Sequence, residues 1–180
     1  MKINYTLSYL TFALFGLLSC NIDQNGQQIN QKKGNATSST KKPVIKKPDL
    51  SMPDAVKIAD AQFKRYLPKM LEANNAYLDS KDIFTGDFTG DGIADVAIYF
   101  SLAPNEGGNT IVAQGLTLYQ NNGNTVKVIA GYEPNYLFNF VKIKNGKIYV
   151  EKLEYTDTDG RCCPSLKTAH TLRISGNRAY

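Results

Sequence analysis

The sequence predicts an α+β domain in which an N-terminal helix packs on an antiparallel sheet of about six strands. Apolar residues recur at three- and four-residue steps from Val56 to Leu71, which is the pattern of one buried helix face. From Asp95 onward, β-branched and aromatic residues alternate with polar ones between turn sequences, as in half-buried strands. The predicted helix precedes every predicted strand, so we expect it to cover one face of the sheet.

The helix is predicted to begin after Ser51, because Asp54 stands three residues later in the acidic position of a capping box. Pro68 is expected to end or kink the helix near Tyr66, since proline lacks the amide hydrogen that the helix needs. A short second turn should follow and close at Asn74-Asn75.

The strongest strand signal is the pair Asn145-Gly146 between two apolar runs, since this pair favours a two-residue hairpin turn. Phe138, Phe140, Val141 and Ile143 are expected to face Ile148, Val150 and Leu153 across that turn. In all we expect strands at residues 95–102, 110–120, 125–130, 138–144, 147–155 and 169–174. No strand is predicted between the helix and residue 95.

The N-terminal residues predict export from the cytoplasm. An apolar run from Tyr5 to Leu18 is too short to span a bilayer, which takes about 20 residues, and is typical of a signal-peptide core. It ends in Leu17-Leu18-Ser19-Cys20, which resembles the lipobox of bacterial lipoproteins. The resemblance implies a signal peptide over residues 1–19 and palmitate-type acylation of Cys20. The alternatives are an ordinary secretory signal or a short membrane anchor.

The lipobox resemblance also implies a location and a first partner, the membrane lipid itself. Each buried methylene group contributes about 0.8 kcal/mol, and more than one acyl chain gives stable anchoring. Asn21 stands where lipoproteins retained in the inner membrane often carry aspartate. We therefore expect the outer membrane of a bacterial cell envelope rather than the inner one, with either a periplasmic or a surface-facing domain.

Residues 20–50 are predicted to be the lipidated cysteine and a disordered tether, because Asn, Gln, Lys, Ser and Thr bury too little apolar surface to fold. Its root-mean-square reach is roughly 30 Å. Most of the net charge of +5 lies here, in six lysines opposed by Asp23 and Asp49, and Lys2 supplies the rest. Residues 51–180 form the predicted single domain and carry fourteen basic and fourteen acidic residues. This balance argues against a nucleic-acid-binding domain.

An aspartate-rich loop between the helix and the first predicted strand is the best-defined candidate site. Its oxygen-bearing groups fall at positions one, three, five, seven and nine: Asp87, Thr89, Asp91, the carbonyl of Ile93, and Asp95. Gly92 at position six permits the sharp turn of a calcium loop, but Ile98 replaces the glutamate that an EF-hand has at position twelve. The loop resembles those of FG-GAP and VCBS repeats, and the resemblance implies calcium as a cofactor. The alternative is a turn whose aspartates bond their own backbone.

The adjacent cysteines Cys162 and Cys163 form the second unusual segment. In an oxidising, exported compartment free thiols are not the default, so a structural disulfide or a buried pair is predicted. A soft-metal site or a redox pair is the alternative. Together with the lipobox and the Gly-Asp-Gly loop, the segment Arg161-Cys162-Cys163-Pro164-Ser165 resembles small uncharacterised bacterial lipoproteins, and this resemblance implies no activity.

Enzymatic motifs give little support to a catalytic function. The sequence has no nucleophile elbow, no HExxH, no P-loop and no dinucleotide fingerprint. Ser165 and His170 are five residues apart, but no third triad member is placed beside them. The alternative of a periplasmic enzyme therefore depends on an unrecognised hydrolase site or on thiol-redox chemistry at Cys162 and Cys163.

A cluster of aromatic residues is the remaining candidate for binding. Tyr132, Tyr136, Phe138 and Phe140 surround Glu133-Pro134-Asn135. Aromatic residues of a sheet are mostly core residues, and the alternative is that these four line a groove for a peptide or a glycan. Such residues combine a large apolar surface with polar ends. We therefore expect a non-enzymatic binding or envelope-structural module with an unidentified protein or envelope partner.

Overall fold

The computed structural model describes residues 49–108, 110–160 and 163–180. The predicted signal peptide, Cys20 and nearly all of the tether lie outside these residues. Within the described part the chain forms one helix and nine strands in two sheets. The elements are α1 Met52–Asn74, β1 Ala76–Gly86, β2 Asp95–Pro104, β3 Ala113–Asn121, β4 Val126–Tyr132, β5 Leu137–Lys144, β6 Lys147–Glu154, β7 Leu166–Thr171, β8 Ile174–Ser175 and β9 Arg178–Ala179. The α+β class is confirmed, whereas the single-sheet arrangement is wrong.

Helix α1 begins as predicted, since the Ser51 hydroxyl oxygen accepts a hydrogen bond from the Asp54 amide at 3.3 Å. It ends where Asn75 adopts a left-handed conformation with φ of 46°. The predicted end at Pro68 is wrong, because the helix continues through this residue. Pro68 lies on the exposed side of the helix, so the Lys64 carbonyl that loses its amide partner is accessible to water.

The six-stranded sheet has the order β1-β2-β3-β4-β9-β8 and is antiparallel except where β4 meets β9. Strand β2 lies in its interior and is buried on both faces. One face packs against the helix in a core that contains Phe63, Val96, Ile98, Phe100 and Leu102. The opposite face packs against the β5–β6–β7 sheet in a core that contains Ala97, Leu116, Leu118, Phe138 and Val150. The domain is therefore a three-layer arrangement of helix, large sheet and small sheet.

Strand β1 lies where no strand was predicted. It pairs with β2 over its whole length, with a register irregularity between Leu78 and Ser80 that interrupts the alternation of side chains. Its polar residues find partners on neighbouring elements. Asp79 accepts a hydrogen bond from the Ser101 hydroxyl at 2.9 Å, and Lys81 forms an ion pair with Asp60 of α1. Because these polar residues form tertiary contacts, the sequence of β1 lacks the alternation of apolar and polar residues that predicts a strand.

The predicted hairpin across Asn145-Gly146 is confirmed as β5 and β6, and both turn residues have positive φ values of 52° and 71°. Val141 does not share the predicted inward face, because it lies in an irregularity between Phe140 and Lys142 and is exposed. The hairpin also belongs to a separate three-stranded sheet with β7. Sequence patterning had placed it in the same sheet as β2.

The two sheets approach closely at Gly86. A Cβ atom added to this glycine would lie 2.7 Å from Cγ2 and 2.8 Å from Cβ of Ile143 on β5. Real carbon atoms do not come this close, so a residue without a side chain is required here for the small sheet to pack on the end of β1.

The chain after β7 differs from the single strand that was predicted at residues 169–174. It forms a short hairpin of β8 and β9, which we call the C-terminal hairpin. Arg173 and Tyr180 close it with two backbone hydrogen bonds of 2.9 and 3.0 Å. The hairpin joins the large sheet at one residue pair, Gly131 with Arg178. No helix in the described part of the chain is both long and apolar enough to cross a membrane.

Candidate functional site

Asp95 holds the aspartate-rich loop against the sheet. Its side chain is buried, and one oxygen, Oδ2, accepts hydrogen bonds from the Phe88 amide and from the amide and hydroxyl of Thr89, each at 3.0 Å. The other oxygen, Oδ1, accepts a bond from the Asn121 amide on β3 at 3.0 Å. Burial raises the pKa of Asp95, and the hydrogen bonds from Asn121, Phe88 and Thr89 oppose that rise. The residue thus connects the loop to the ends of β2 and β3.

The other two loop carboxylates also bond to backbone amides. Asp87 accepts from Gly90 at 2.6 Å and from Gly92 at 2.9 Å, and Asp91 accepts from Ile93 at 2.9 Å. Both glycines have positive φ values, 80° and 85°, as the tight turn requires. This is the self-bonded turn that the sequence offered as the alternative to a calcium site.

Metal ligation at this loop stays a prediction. Asp91 is exposed and Asp87 is half-buried, whereas Asp95 is buried. Among the residues that the structure describes, no three His, Cys, Asp or Glu side chains lie close enough together to hold a metal ion. The predicted ligands are Asp87, Thr89, Asp91, Ile93 and Asp95. The three carboxylates among them already accept hydrogen bonds from loop amides, so an ion would have to share these oxygens with those donors.

Cys163 follows a turn that Asp159 organises. One oxygen of Asp159 accepts hydrogen bonds from the amides of Thr156 and Ser165, both at 2.8 Å. These bonds lower the pKa of Asp159 to about 2. Cys163 is disulfide-bonded, and its partner lies outside the described residues, so the pairing with Cys162 stays a prediction. The Ser165 contacts with Asp159 leave the serine in this loop rather than in a catalytic array.

A large cavity lies beside strand β4 and has a volume of about 1010 Å³. It is bounded by α1, β3, β4, the β4–β5 loop, β7 and the C-terminal hairpin. Five tyrosines line it: Tyr66, Tyr119, Tyr132, Tyr136 and Tyr180. We call this cavity the tyrosine groove. Its polar lining also includes Gln62, Thr117, Glu133, Asn135, His170, Asn177 and Arg178.

The predicted aromatic groove is correct for two of its four residues. Tyr132 and Tyr136 line the cavity, and their hydroxyl oxygens lie 2.8 Å apart in a hydrogen bond. Phe138 is instead fully buried, with its ring edge-on to Tyr132 at 4.9 Å between centroids. Phe140 stacks on Phe84 of β1 at 3.8 Å. The two phenylalanines hold the sheets together behind the groove.

Sequence reasoning missed the other three tyrosines. Tyr66 lies on the helix, Tyr119 on β3, and Tyr180 just after β9, so only the tertiary fold brings them together. Tyr66 and Tyr180 are 52% and 59% exposed, and their rings are therefore available to a ligand. An exposed tyrosine off the apolar stripe of α1 was the one sequence signal present, and it is too common to indicate a site.

The groove presents uncharged hydroxyl groups. Burial raises the pKa of Tyr119 to about 12, with a smaller contribution from the negative charge of Asp60. Burial and the hydrogen bond with Tyr136 raise the pKa of Tyr132 as well. Both phenols are thus neutral at physiological pH and can donate or accept hydrogen bonds. Lys152 lies over the Tyr136 ring at 4.9 Å, which fixes that side of the groove by a cation–π contact.

Comparison with known proteins finds no matching family model, no matching curated protein and no matching solved structure.

Proposed function

We propose that the protein is an exported lipoprotein whose folded domain binds a ligand in the tyrosine groove without transforming it. The lipid on Cys20 anchors the chain to the outer membrane, and residues 21–50 hold the domain away from the lipid surface. The observation that carries the proposal is the groove itself, with about 1010 Å³ of space and five tyrosines around it. Ligand sites are typically concave cavities with aromatic walls and a few convergent polar groups.

The lining of the groove favours binding over catalysis. Thr117 supplies the one aliphatic hydroxyl among the described lining residues, and no cysteine is among them. Ser165 does not line the groove and donates its amide to Asp159, whereas His170 lines the groove. Cys163 is held in a disulfide. The nucleophiles that a hydrolase or thiol-redox enzyme would need are therefore not gathered in the tyrosine groove.

We also propose that the aspartate-rich loop takes up calcium weakly, through the carboxylates of Asp87 and Asp91. Their oxygens already accept backbone hydrogen bonds that order the loop, so binding of an ion would add little further order. We expect a dissociation constant on the order of 10⁻⁴–10⁻³ M, as in extracellular calcium modules. The ion would serve as a structural addition to the domain and not as its active centre.

The anchoring part of the proposal is tested by metabolic labelling with radioactive palmitate. We expect label in the wild-type protein and none in Cys20→Ala, with the unmodified variant recovered from the soluble fraction. Equal labelling of both proteins would contradict lipid attachment at Cys20.

The binding part is tested by screening two ligand libraries, synthetic peptides and soluble oligosaccharides, against the isotope-labelled protein by NMR. We expect shifts in the resonances of Tyr66 and Tyr180, and loss of binding in the double substitution Tyr66→Ala with Tyr180→Ala. Tyr77→Ala provides the matched control, because Tyr77 is 46% exposed but lies outside the groove. Ligands that bind without perturbing the groove, or no binding from either library, would refute the proposed site.

A further inference from the structure

The outer edge of strand β4 faces the tyrosine groove. Five consecutive residues of this strand, Val128 to Tyr132, line the cavity. A register irregularity pairs Val128 with Tyr119 and Ala130 with Leu118, which are adjacent residues of β3, so the side chains of Val128 and Ala130 lie on opposite faces of the sheet. Val128 is 54% exposed, whereas Ala130 is buried in the core between the two sheets. Both residues nevertheless line the same cavity. The part of β4 that borders the cavity is therefore the backbone edge of the strand.

This edge has no strand beside it over most of its length. In the described part of the chain, β9 pairs with β4 only where Gly131 meets Arg178, and Gly131 donates its amide to the Asn177 carbonyl at 3.1 Å. Gln62 of α1 also reaches β4, by donating to the Val126 carbonyl at 2.7 Å. The backbone from Val128 to Ala130 therefore borders the groove and not another strand.

We infer that the tyrosine groove binds the carboxyl-terminal end of an extended peptide, which adds as a short strand beside β4. This inference depends on the proposed binding function and names its ligand class. Strand addition uses the open amide and carbonyl groups of an edge for affinity, and pockets beside the edge for side-chain selection. Val128 to Ala130 offers room for about three residues at roughly 3.3 Å each.

The C-terminal hairpin determines where the added strand must stop. Strand β9 occupies the position beside Gly131, so a peptide in line with it ends at Asn177 and Arg178. Arg178 is exposed and makes no ion pair with any residue that the structure describes. A peptide parallel to β4 brings its terminal carboxylate to this guanidinium. An antiparallel peptide would bring its amino-terminal ammonium there and be repelled.

Besides Arg178 and the tyrosines, the titratable side chains of Glu133 and His170 line the groove and contribute to its charge balance. Glu133 extends over the sheet face, where its Oε1 lies 3.8 Å from the position of a Cβ atom on Gly131. Its carboxylate repels a peptide carboxylate at the same end and weakens the complex. His170 of β7 lies on the groove wall, opposite Val150 in the strand pairing. We therefore expect selectivity for a free carboxyl terminus with modest affinity.

The test uses a synthetic peptide library attached through its amino termini, so that every carboxyl terminus is free. The mature full-length protein in detergent micelles selects peptides, and the affinity of one selected peptide is measured by calorimetry. The same peptide is then measured with an amidated carboxyl terminus and with N-methyl groups on its last residues. We expect amidation to weaken binding about five- to tenfold, the loss of one partly screened charge-assisted pair.

Three variants separate this mode from other kinds of peptide binding. Arg178→Gln should weaken the free-acid peptide about five- to tenfold and leave the amidated peptide unchanged, whereas Glu133→Gln should tighten the free-acid peptide about twofold. Arg173→Gln is the matched control, because Arg173 is exposed on the same hairpin but does not line the groove. N-methylation should abolish binding, since it removes donors to the β4 edge.

Each remaining outcome overturns a stated part of the inference. Equal affinity for acid and amide overturns the carboxyl-terminal recognition, and tolerance of N-methylation overturns strand addition. Oligosaccharides that bind in the groove while no peptide does would overturn the peptide inference and leave the proposed function intact. If neither library binds, both the inference and the proposed function are refuted.

Discussion

Replacing Asp95 with asparagine removes a charge that four hydrogen-bond donors share. Asparagine has nearly the same size, so no cavity forms, but its amide group must now face donors on one side. A hydrogen bond to a charged group contributes about 1.5–3 kcal/mol, and a buried donor without an acceptor costs about 1–3 kcal/mol. Burial, which raises the pKa of Asp95, offsets part of the gain from the charge. We therefore expect Asp95→Asn to lower the free energy of unfolding by about 2–4 kcal/mol.

Urea denaturation followed by circular dichroism measures this loss. Asp91→Asn is the matched control, because Asp91 is exposed and accepts one short loop hydrogen bond, from the Ile93 amide. The control should lose less than about 1 kcal/mol, as exposed substitutions usually do. If the free energies of unfolding of the two variants differ by less than about 0.5 kcal/mol, the buried hydrogen bonds around Asp95 do not stabilise the domain.

Three further predictions concern the two loops and the sheet contact. Because the folded pKa of Asp159 is lowered to about 2, its stabilising contribution is present above 3.8 and lost as the pH falls toward 2; amide NMR should show Thr156 shifting in this window, and no shift would contradict the assignment. Calorimetric titration should detect calcium binding near 10⁻⁴–10⁻³ M that is lost in Asp91→Ala; no heat at millimolar calcium would refute the proposal. Gly86→Ala should cost about 1–3 kcal/mol in urea unfolding because its Cβ overlaps Ile143; unchanged stability would mean that the sheets separate easily.

Local sequence chemistry predicted the elements whose signals are local. The capping serine at residue 51 and the turn pair Asn145-Gly146 both mark structure within a few residues of themselves, and both predictions are confirmed. Strand β1 was missed because its polar residues are satisfied by partners about 21 residues away, as in the ion pair between Lys81 and Asp60. Periodicity indicates which residues of a strand are buried, but it does not indicate which neighbouring element covers them. The division into two sheets therefore could not be predicted from the alternation of residues.

The candidate site divides in the same way. The aspartate-rich loop was predicted to lie between the helix and the first strand, whereas it joins β1 to β2. Its self-bonded turn was among the alternatives, because its glycines and aspartates act on their own backbone. Tyr132 and Tyr136 were identified as groove residues because they are neighbours in the sequence. Tyr66 and Tyr180 are more than a hundred residues apart, so only the packing of α1 and the C-terminal hairpin around β4 brings them to one cavity.

The single pairing of β9 with β4 has a consequence for motion. The C-terminal hairpin is held by the pair Gly131–Arg178 and by its own short ladder, while the rest of the large sheet is joined by pairings of six or more residues. Segments with few contacts open locally at a small fraction of the global unfolding free energy. Opening of this wall of the tyrosine groove breaks the Gly131–Arg178 pairing and exposes Ala179 of the core between the sheets, and a bound strand would slow its hydrogen exchange.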